Sequence, residues 1–585
     1  MKNIKSRLSW FIILAAVLFV GCGTPSSNTS SSPEVKREQG IGKLGGSIVY
    51  RVTSPIKTLN YFLADDEPSV VLTLFLLNDR LVALDHEKQA YVPSLAESYS
   101  TGTDGKTVDI LLREGLKFSD GKPLTTADVE FTLKGAYDKR TESPIIRDSM
   151  LVGGKEIETK ISDERRMQFI FPEKVSSVEN YLENLVVLPK HVLESAAKEG
   201  KLGESWKITD DPKSVVTSGP FVVDSVETGV KVTLKKNSNY WKKDANGNQL
   251  PYLDSLVLEI VGDANNTIAR LQQGTIDLAD RIRASDYASL KSSQSSTKPY
   301  DAGPGLNTDQ IWFNLNPAKK GGEKLEGTPK SKWFGDKRFR RAIGHAIDRN
   351  SIATNTLQGL ATPIYGFVPA GNRAWLDASL PKIEYDLGKA KALLTEAGFT
   401  QKDNNGKPEL FDGSGNRVEF TLIVPAENEP RKLMAAVIQE DLGKLGMNVQ
   451  IAPIDFQGLT QRWTESFDYD AILLGLSVTA LDPSSFASFL MSNAGAHQWH
   501  PKQAKPATEW EAKIDELFSQ QSTESDAATR KQKFNEIQAI VADEMPVVPI
   551  VSRHIVSAAN EKVGNMSPSG ILPFSMWNVE RLYIK

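Results

Sequence analysis

Cysteine is almost absent from this sequence, in which Cys22 is the one thiol among 585 residues. Without Cys22 the chain can form no disulfide, no zinc site with thiolate ligands and no cysteine nucleophile. The G-x-S-x-G and H-E-x-x-H patterns and a phosphate-binding P-loop are also missing. After Cys22 no apolar run is long enough to span a bilayer. We therefore expect a protein that is not an enzyme, needs no cofactor and does not cross the membrane.

The position of Cys22 indicates an anchor. Basic residues within 2–7 precede an apolar run at 10–20, and Gly21 and Gly23 flank the cysteine. This layout is typical of a secretory signal, and it resembles the bacterial lipobox, in which the thiol is acylated and becomes the new first residue. We predict a signal peptide at 1–21 and lipidation of Cys22. The alternative is an ordinary signal peptide with an unrelated cysteine.

The segment that follows the anchor has little to bury. Residues 23–40, "GTPSSNTSSSPEVKREQG", are rich in Ser, Thr, Pro and charge. Such a composition is typical of a flexible linker. We expect residues 22–44 to be a tether that holds a folded body beside a membrane in the cell envelope, on its periplasmic or extracellular face.

The charge and length of the chain restrict its partners and its organisation. The 69 basic and 73 acidic residues give a formal net charge of −4, and no basic block stands out. Nucleic acid is therefore not an expected partner. Beyond the tether, roughly 540 residues are too many for one hydrophobic core and favour two or three domains.

The second half of the chain has an α/β pattern. A strand is predicted at 418–424, a helix at 431–445 and a second strand at 447–454, a spacing that favours a parallel βαβ unit. The run "AILLGL" at 471–476 is continuously apolar, as in a strand buried on both faces. We expect an α/β fold.

Several long stretches resemble one known family. They include "LAESYSTGTDGKTVDILLREGLKFSDGKPLTTADVEFTLK" (95–134), "DANNTIARLQQGTIDLAD" (263–280), "FRRAIGHAIDRNSI" (339–352) and "YDLGKAKALLTEAGF" (385–399). These blocks are similar to those of bacterial extracellular solute-binding proteins of family 5, the oligopeptide-binding class, and they follow the order found in that family. The resemblance covers essentially all of residues 45–585.

The resemblance implies a two-lobed fold of the periplasmic-binding-protein type, with ligand held between lobes that close like a hinge. It also implies an ABC-transporter permease as partner and a monomeric protein. Peptide is the leading ligand class and oligosaccharide the alternative. The implied domains are lobe I at 45–70, 214–305 and 549–585, an inserted subdomain of lobe I at 71–213, and lobe II at 306–548.

The resemblance draws attention to Thr479 and Asp482. Peptide-binding relatives commonly place an aspartate four residues before the proline of the ligand loop, where its carboxylate pairs with the ligand ammonium. In "GLSVTALDPSSF" (475–486) the equivalent residue is Thr479, whose hydroxyl has no charge. Asp482 is the substitute if the loop is shifted, but its position favours a turn or helix cap before Pro483.

Five further residues are candidates for contact with ligand. Trp499 follows the ligand loop closely, and the resemblance places Trp312, Asn314 and Trp577 near the hinge. Asn60 lies in the first segment of lobe I. Core packing is the default interpretation of each tryptophan, and contact with ligand is the alternative. The full set of candidate ligand residues is Asn60, Trp312, Asn314, Thr479, Asp482, Trp499 and Trp577.

Other polar motifs favour ordinary structural roles. His497 and His500 are three residues apart, but no carboxylate or thiol lies nearby in the sequence, so we expect no metal site. The pair Arg340-Arg341 is interpreted as a solvated helix face rather than an anion site. A surface glycan hydrolase that uses two carboxylates is the enzymatic alternative.

Overall fold

The computed structural model describes residues 40–585. The predicted signal peptide, Cys22 and most of the predicted tether lie outside the described residues. Within 40–585, no helix is both long and apolar enough to cross a membrane.

The chain alternates strands with helices along its whole described length. The strands are β1 (Ser47–Val52), β2 (Val82–Asp85), β3 (Ala90–Pro93), β4 (Ala96–Thr101), β5 (Thr107–Leu112), β6 (Glu158–Ile161), β7 (Arg166–Ile170), β8 (Phe221–Glu227), β9 (Lys231–Lys236), β10 (Ser255–Ile260), β11 (Leu278–Asp280), β12 (Thr297–Pro304), β13 (Asn307–Phe313), β14 (Ala361–Pro363), β15 (Thr400–Asn404), β16 (Lys407–Phe411), β17 (Glu419–Pro425), β18 (Asn448–Ile454), β19 (Ala471–Ser477), β20 (Val547–Asn560), β21 (Val563–Gly564) and β22 (Tyr583–Ile584). The helices are α1 (Glu67–Val70), α2 (Thr126–Tyr137), α3 (Pro144–Ser149), α4 (Glu179–Asn184), α5 (Lys190–Lys198), α6 (Ala264–Gln273), α7 (Ala284–Ser292), α8 (Pro329–Gly335), α9 (Lys337–Ala346), α10 (Arg349–Ser351), α11 (Leu387–Glu396), α12 (Glu429–Gly443), α13 (Phe456–Gln461), α14 (Ala487–Leu490), α15 (Glu509–Ser522) and α16 (Ala527–Glu544).

One large mixed sheet runs through both predicted lobes. Its strand order is β18-β17-β19-β13-β20-β11-β1-β10-β9-β8, with β12 and β14 also paired to β20. The first four strands come from the segment predicted as lobe II, and the strands from β11 to β8 come from the segments predicted as lobe I. The strand β20 lies between the two groups.

The long strand β20 pairs with both groups of strands. Residues 547–551 pair with β13, and residues 557–559 pair with β11. A second crossing runs from β12 to β13 through Gly305 and Leu306. The two crossings are joined, since Asn307 Nδ2 donates to the carbonyl of Arg553 (3.1 Å) and the Arg553 amide donates to Asn307 Oδ1 (2.9 Å). The lobes are therefore linked by two hydrogen-bonded segments.

The predicted parallel βαβ unit is confirmed. The strands β17 and β18 pair in parallel, and α12 connects them. Alternate residues of β19 enter two different cores, because Leu473 packs in one cluster with Phe420 and Ile472 packs in another with Trp463. The apolar run at 471–476 is therefore a strand buried on both faces, as its composition predicts.

The inserted segment 71–213 has a core of its own. Its sheet has the order β4-β5-β7-β6 and packs with Leu133 of α2 and Leu182 of α4. A separate apolar cluster gathers β1, β8, β9 and β10. The lobe boundaries given above stay a prediction.

Two glycines allow close packing around the β12–β13 crossing. A Cβ at Gly371 would collide with the carbonyl oxygen of Pro304 and would lie 2.5 Å from that of Gly305, and a Cβ at Gly570 would lie 2.5 Å from the Pro304 oxygen. Backbone cannot move aside as the end of a flexible side chain can, so these positions require glycine.

We predict that Gly371→Ala lowers the free energy of unfolding by about 1–3 kcal/mol, the usual cost of overpacking. Gly335→Ala is the matched control, because nothing lies within 4 Å of a Cβ built there. Denaturant titration measures both variants. Equal stability of Gly371→Ala and wild type would contradict the close packing at the crossing.

Candidate functional site

A cleft of about 670 Å³ lies between the segments predicted as the two lobes. Residues 479–485 form its wall on the lobe II side. The opposite wall is formed by residues from 61–70 and from the inserted segment, among them Ile145 and Tyr181. Ile571 and Leu572 of the C-terminal segment also line the cleft. A ligand in this cleft would touch both lobes at once.

The lobe II wall is the loop that leaves the C-terminal end of β19. Thr479 is exposed and lines the cleft. Asp482 then caps the short 3-10 turn Pro483–Phe486 by accepting a hydrogen bond from the Ser484 amide (2.9 Å). The predicted cap before Pro483 is confirmed. Thr479 therefore offers a hydroxyl to the cleft, on a loop whose conformation is stabilised by the Asp482 cap.

Asp482 is also paired with a buried arginine. Arg530 donates from Nη1 and Nη2 to the two carboxylate oxygens, at 2.7 and 2.8 Å, and both side chains are at least 95% buried. The guanidinium of Arg530 stacks on Trp375 at 4.9 Å. Burial alone would raise the pKa of Asp482, but the hydrogen bonds and charge of Arg530 outweigh it and hold the pKa below its usual value. Both oxygens are therefore already occupied by a cation of the protein itself.

The opposite wall carries tyrosines and one ion pair. Tyr61, Tyr91 and Tyr181 line the cleft, and burial raises the pKa of each phenol, so each stays neutral. Tyr61 donates to the carbonyl of Asn184, and Tyr91 donates to Asn180 Oδ1 (3.0 Å). Arg80 Nη1 lies 3.5 Å from Glu183 Oε1. Burial raises the pKa of Glu183, while Arg80 lowers it in part.

The acidic residues at 65–67 lie beside two cationic side chains, which balance two of their three charges. Lys57 Nζ lies 3.2 Å from Asp65 and 3.7 Å from Asp66, and Glu67 pairs with Arg281. Asp66 in addition caps α1 by accepting from the Ser69 amide. These carboxylates therefore have cationic partners within the protein.

The tip of the β2–β3 hairpin joins the inserted segment to lobe II. Gln89, whose φ is 53°, donates from Nε2 to the carbonyl of Gly371 (2.6 Å) and accepts from the Ala374 amide (3.2 Å). Arg373 donates to the carbonyl of Glu87 (2.7 Å). These bonds form a latch, meaning the contacts of residues 87–89 with 371–374, across one side of the molecule.

The structure places one candidate ligand residue, Thr479, on the cleft. Asp482 stands behind the same loop. Trp577 lines a neighbouring cavity of about 230 Å³ and stacks on His86 at 5.2 Å. Asn314 lines a separate cavity of about 580 Å³ in lobe II, where its amide donates to the carbonyl of Tyr469 (2.8 Å).

Three other candidates lie inside the protein. Trp312 and Trp499 are 0% exposed. Trp499 donates from Nε1 to Glu511 (2.8 Å), and Trp312 packs on Trp463 at 5.1 Å. The side chain of Asn60 is also buried and bonds to the backbone around it, including the Phe62 amide. Their part in ligand binding stays a prediction.

The histidine and arginine motifs have structural partners. His497 is fully buried, with its ring centre 4.2 Å from that of Trp499. Across residues 40–585, no three histidine, cysteine or acidic residues are grouped so that they could hold a metal ion. The interpretation of Arg340 as part of a solvated helix face is wrong, because Arg340 is 2% exposed and donates to the carbonyls of Phe334, Glu544 and Met545.

Sequence reasoning missed the residues that form most of the lobe I wall. Arg80 and Glu183 are 103 positions apart in the sequence, and no spacing rule connects them. One signal was present: Arg80 ends "VVLTLFLLNDR" (70–80), where Asn78, Asp79 and Arg80 follow a mostly apolar run. A charge at the end of a buried segment is a reasonable candidate for a cavity wall.

We predict that Asp482→Asn lowers the free energy of unfolding by about 3–5 kcal/mol, because Arg530 is left as a buried charge without its partner. The matched control is Asp148→Asn, since Asp148 pairs with Arg147 on the surface (2.9 Å) and such pairs contribute about 0–1 kcal/mol. Denaturant titration at pH 7 measures both.

The contribution of the Asp482–Arg530 pair to the free energy of unfolding should depend on pH. The folded pKa of Asp482 is depressed, so its contribution is present above the unfolded pKa of about 3.9 and is lost as pH falls below it. The stability gap between wild type and Asp482→Asn should therefore shrink as pH falls from 5 to 2. A gap that is absent at pH 7 would refute the assigned ion pair.

Comparison with known proteins agrees with this geometry. The family model for bacterial extracellular solute-binding proteins, family 5 Middle, matches residues 90–498. The chain is 28% identical to the probable ABC transporter-binding protein of Deinococcus radiodurans, over 92% of this chain and 91% of that one. It is 27% identical to the oligopeptide-binding protein AppA of Bacillus subtilis, over 93% and 92%.

Solved structures show the same fold. The substrate-binding protein CtaP of Listeria monocytogenes aligns with a TM-score of 0.74 at 23% identity, covering 93% of this chain and all of that one. AppA of Bacillus subtilis in complex with a nonapeptide aligns with a TM-score of 0.63 at 25% identity, covering 93% and 100%. The predicted two-lobed architecture is confirmed, and the chain belongs to the bacterial extracellular solute-binding proteins of family 5.

Proposed function

We propose that this protein captures peptides in the cleft between its lobes and delivers them to the permease of an ABC importer. The observation that carries the proposal is the 670 Å³ cleft, whose walls come from two lobes linked by two strand crossings. The similarity to proteins named as oligopeptide-binding and dipeptide-binding supports peptide as the ligand class.

The chemistry of the cleft suits a peptide backbone. The phenol of Tyr181 stays neutral and is a hydrogen-bond donor, and Thr479 offers a donor and acceptors. Peptide amides need both kinds of partner, and apolar side chains find Ile145 and Leu572 in the same cleft. The protein binds and releases its ligand without chemical change.

Closure of the lobes accompanies binding. The latch at 87–89 and 371–374 supplies hydrogen bonds that form only when the inserted segment and lobe II approach each other. A ligand that contacts both walls adds to these bonds. The protein acts as a monomer. Its lobe I comprises 45–70, 214–305 and 549–585 with the inserted subdomain 71–213, and its lobe II comprises 306–548.

Oligosaccharide is the alternative ligand class. It is favoured by one observation, the uncharged Thr479 beside an Asp482 whose oxygens are occupied by Arg530. A neutral sugar needs no carboxylate on this wall.

We predict that peptides raise the melting temperature and that oligosaccharides do not. A ligand at a hundredfold excess over its dissociation constant stabilises the folded state by about 2.7 kcal/mol. Thermal melts across both ligand sets measure this, small-angle scattering reports compaction, and mass spectrometry checks that the ligand is recovered intact. Stabilisation by oligosaccharides alone, or cleavage of any ligand, would overturn the proposal.

The variant Thr479→Asp tests whether the amine of a peptide ligand lies near residue 479. A new carboxylate on the cleft wall should tighten binding of peptides with a free amine and leave N-acetylated peptides unchanged, because only the former carry an ammonium. The N-acetylated peptides are the matched control. An equal effect on both sets would show that the ligand amine does not approach residue 479.

The membrane anchor is also part of this proposal. Acylation of Cys22 would keep the binder close to its permease and raise its effective concentration there. We predict that Cys22→Ser releases the protein from membranes or leaves an uncleaved precursor, with the melting temperature of the purified protein unchanged. Detergent partitioning measures the anchor. Unchanged partitioning of the variant would refute lipidation at Cys22.

A further inference from the structure

A cavity of about 420 Å³ lies in lobe II, apart from the cleft. Its walls come from the segment that follows β13, from α8 and α9, and from the start of α15, and it shares no lining residue with the cleft. The first residue of β13, Asn307, pairs with Ser477 beside the cleft loop, whereas the last, Phe313, pairs with Ala471 and leads to the cavity wall. Along β13 the chain rises about 20 Å, so a ligand in this cavity would lie outside the proposed peptide site.

The cationic side chains of this cavity are already in use. Lys337 Nζ lies 3.0 Å from Glu544 Oε1, and Arg340 donates to backbone carbonyls. Glu511 accepts from the Thr508 amide (2.9 Å). Burial alone would raise the pKa of Glu511, but its hydrogen bonds outweigh burial and lower the pKa to about 2. The walls therefore suit a neutral ligand better than an anion.

Asn316 offers a free acceptor in a fixed orientation. Asn314 Oδ1 accepts hydrogen bonds from the Asn316 backbone amide (3.0 Å) and from Asn316 Nδ2 (2.8 Å), which orients the side-chain amide of Asn316. Asn316 is 3% exposed and lines the cavity. Its Oδ1 atom accepts no hydrogen bond from residues 40–585 and is not sealed from solvent. This oxygen can therefore receive an N–H group of a ligand.

His500 offers a free donor close by. The Leu315 amide donates to the Trp499 carbonyl (2.9 Å), which sets residue 316 beside residue 500. Gln503 Nε2 donates to His500 Nδ1 (2.9 Å), so in the neutral ring the proton is on Nε2. Burial lowers the pKa of His500, which keeps the ring neutral at pH 7. His500 Nε2 has no partner in the described part of the chain and is not sealed from solvent.

Trp510 supplies an aromatic wall. Its ring centre lies 5.6 Å from that of the fully buried Trp499, which supports it from the core, and Leu315 and Pro317 add apolar surface to the cavity. A planar heterocycle has two faces for stacking and polar atoms only at its edge, so it matches an aromatic wall with a few neutral polar contacts. A sugar carries hydroxyls on every side and would leave most of them without partners.

We propose that this cavity is a second binding site, for a neutral planar heterocycle of the nucleobase type. The ring stacks on Trp510, an N–H group of its edge donates to Asn316 Oδ1, and an adjacent ring acceptor receives the proton of His500 Nε2. Glu326 also lines the cavity, is exposed and forms no ion pair within residues 40–585, so a phosphate on the ligand adds no affinity. The inference is independent of the proposed function.

The test is calorimetry of the purified protein with adenosine, whose base carries an amine and a ring acceptor on one edge. N6,N6-dimethyladenosine keeps the stacking face but lacks the N–H donor, and we expect it to bind about 3- to 10-fold more weakly. Ribose, which has no base, should not bind. Adenosine 5′-monophosphate should bind no more tightly than adenosine.

Trp510→Ala should weaken adenosine binding about 10- to 100-fold, because base stacking is lost. Trp510→Phe should retain most of the affinity and serves if Trp510→Ala does not fold. His500→Phe keeps a ring without the donor and should cost about 3- to 10-fold. The matched control is Phe456→Ala, since Phe456 is an aromatic residue of lobe II that is 53% exposed and does not line the cavity. Phe456→Ala should leave adenosine binding unchanged.

Competition separates this site from the cleft. A peptide at saturating concentration should not displace adenosine, and Trp510→Ala should leave peptide affinity unchanged. The inference is overturned if adenosine does not bind, if ribose or the monophosphate binds more tightly, if Trp510→Ala has no effect, or if peptide displaces adenosine; peptide binding would stand in each case. If adenosine binds through Trp510 and no peptide binds, the proposed function fails and the second site stands.

Discussion

The pairing of the strand β20 is the interaction on which the rest of the structure depends. Its first residues pair with β13 and its last residues with β11, so one continuous strand belongs to both groups of the large sheet. Strand pairing satisfies the backbone groups of a buried segment, which leaves little freedom to separate the lobes. The cleft exists because the two groups share this strand and otherwise form cores of their own.

Most charged residues around the cleft form ion pairs within their own lobe. Asp482 forms an ion pair with Arg530 within lobe II, and the acidic residues at 65–67 form ion pairs with Lys57 and Arg281. Each of these pairs supports one wall of the cleft. Arg80 and Glu183 both line the cleft, and Arg80 Nη1 lies 3.5 Å from Glu183 Oε1.

Periodicity predicted the α/β core well and the cleft poorly. The unit β17-α12-β18 was evident because alternating and helical apolar patterns record which faces are buried. The same patterns could not tell a tryptophan of the core from one on a pocket wall, which is why Trp312 and Trp499 were candidates although both are fully buried. Nor could spacing reveal that Arg530 binds Asp482, because that contact depends on how α16 packs beside the loop. A single sequence does not show which distant residues are in contact.

The latch and the crossing between the lobes meet at one residue. The Gly371 carbonyl accepts the hydrogen bond of Gln89, and a Cβ at Gly371 would collide with the backbone of Pro304 and Gly305. The hairpin tip and the β12–β13 crossing therefore contact the same residue. A side chain at 371 would separate these two contacts by forcing the loop away from the crossing. The absence of a Cβ at this position therefore lets one loop hold both the hairpin tip and the crossing between the lobes.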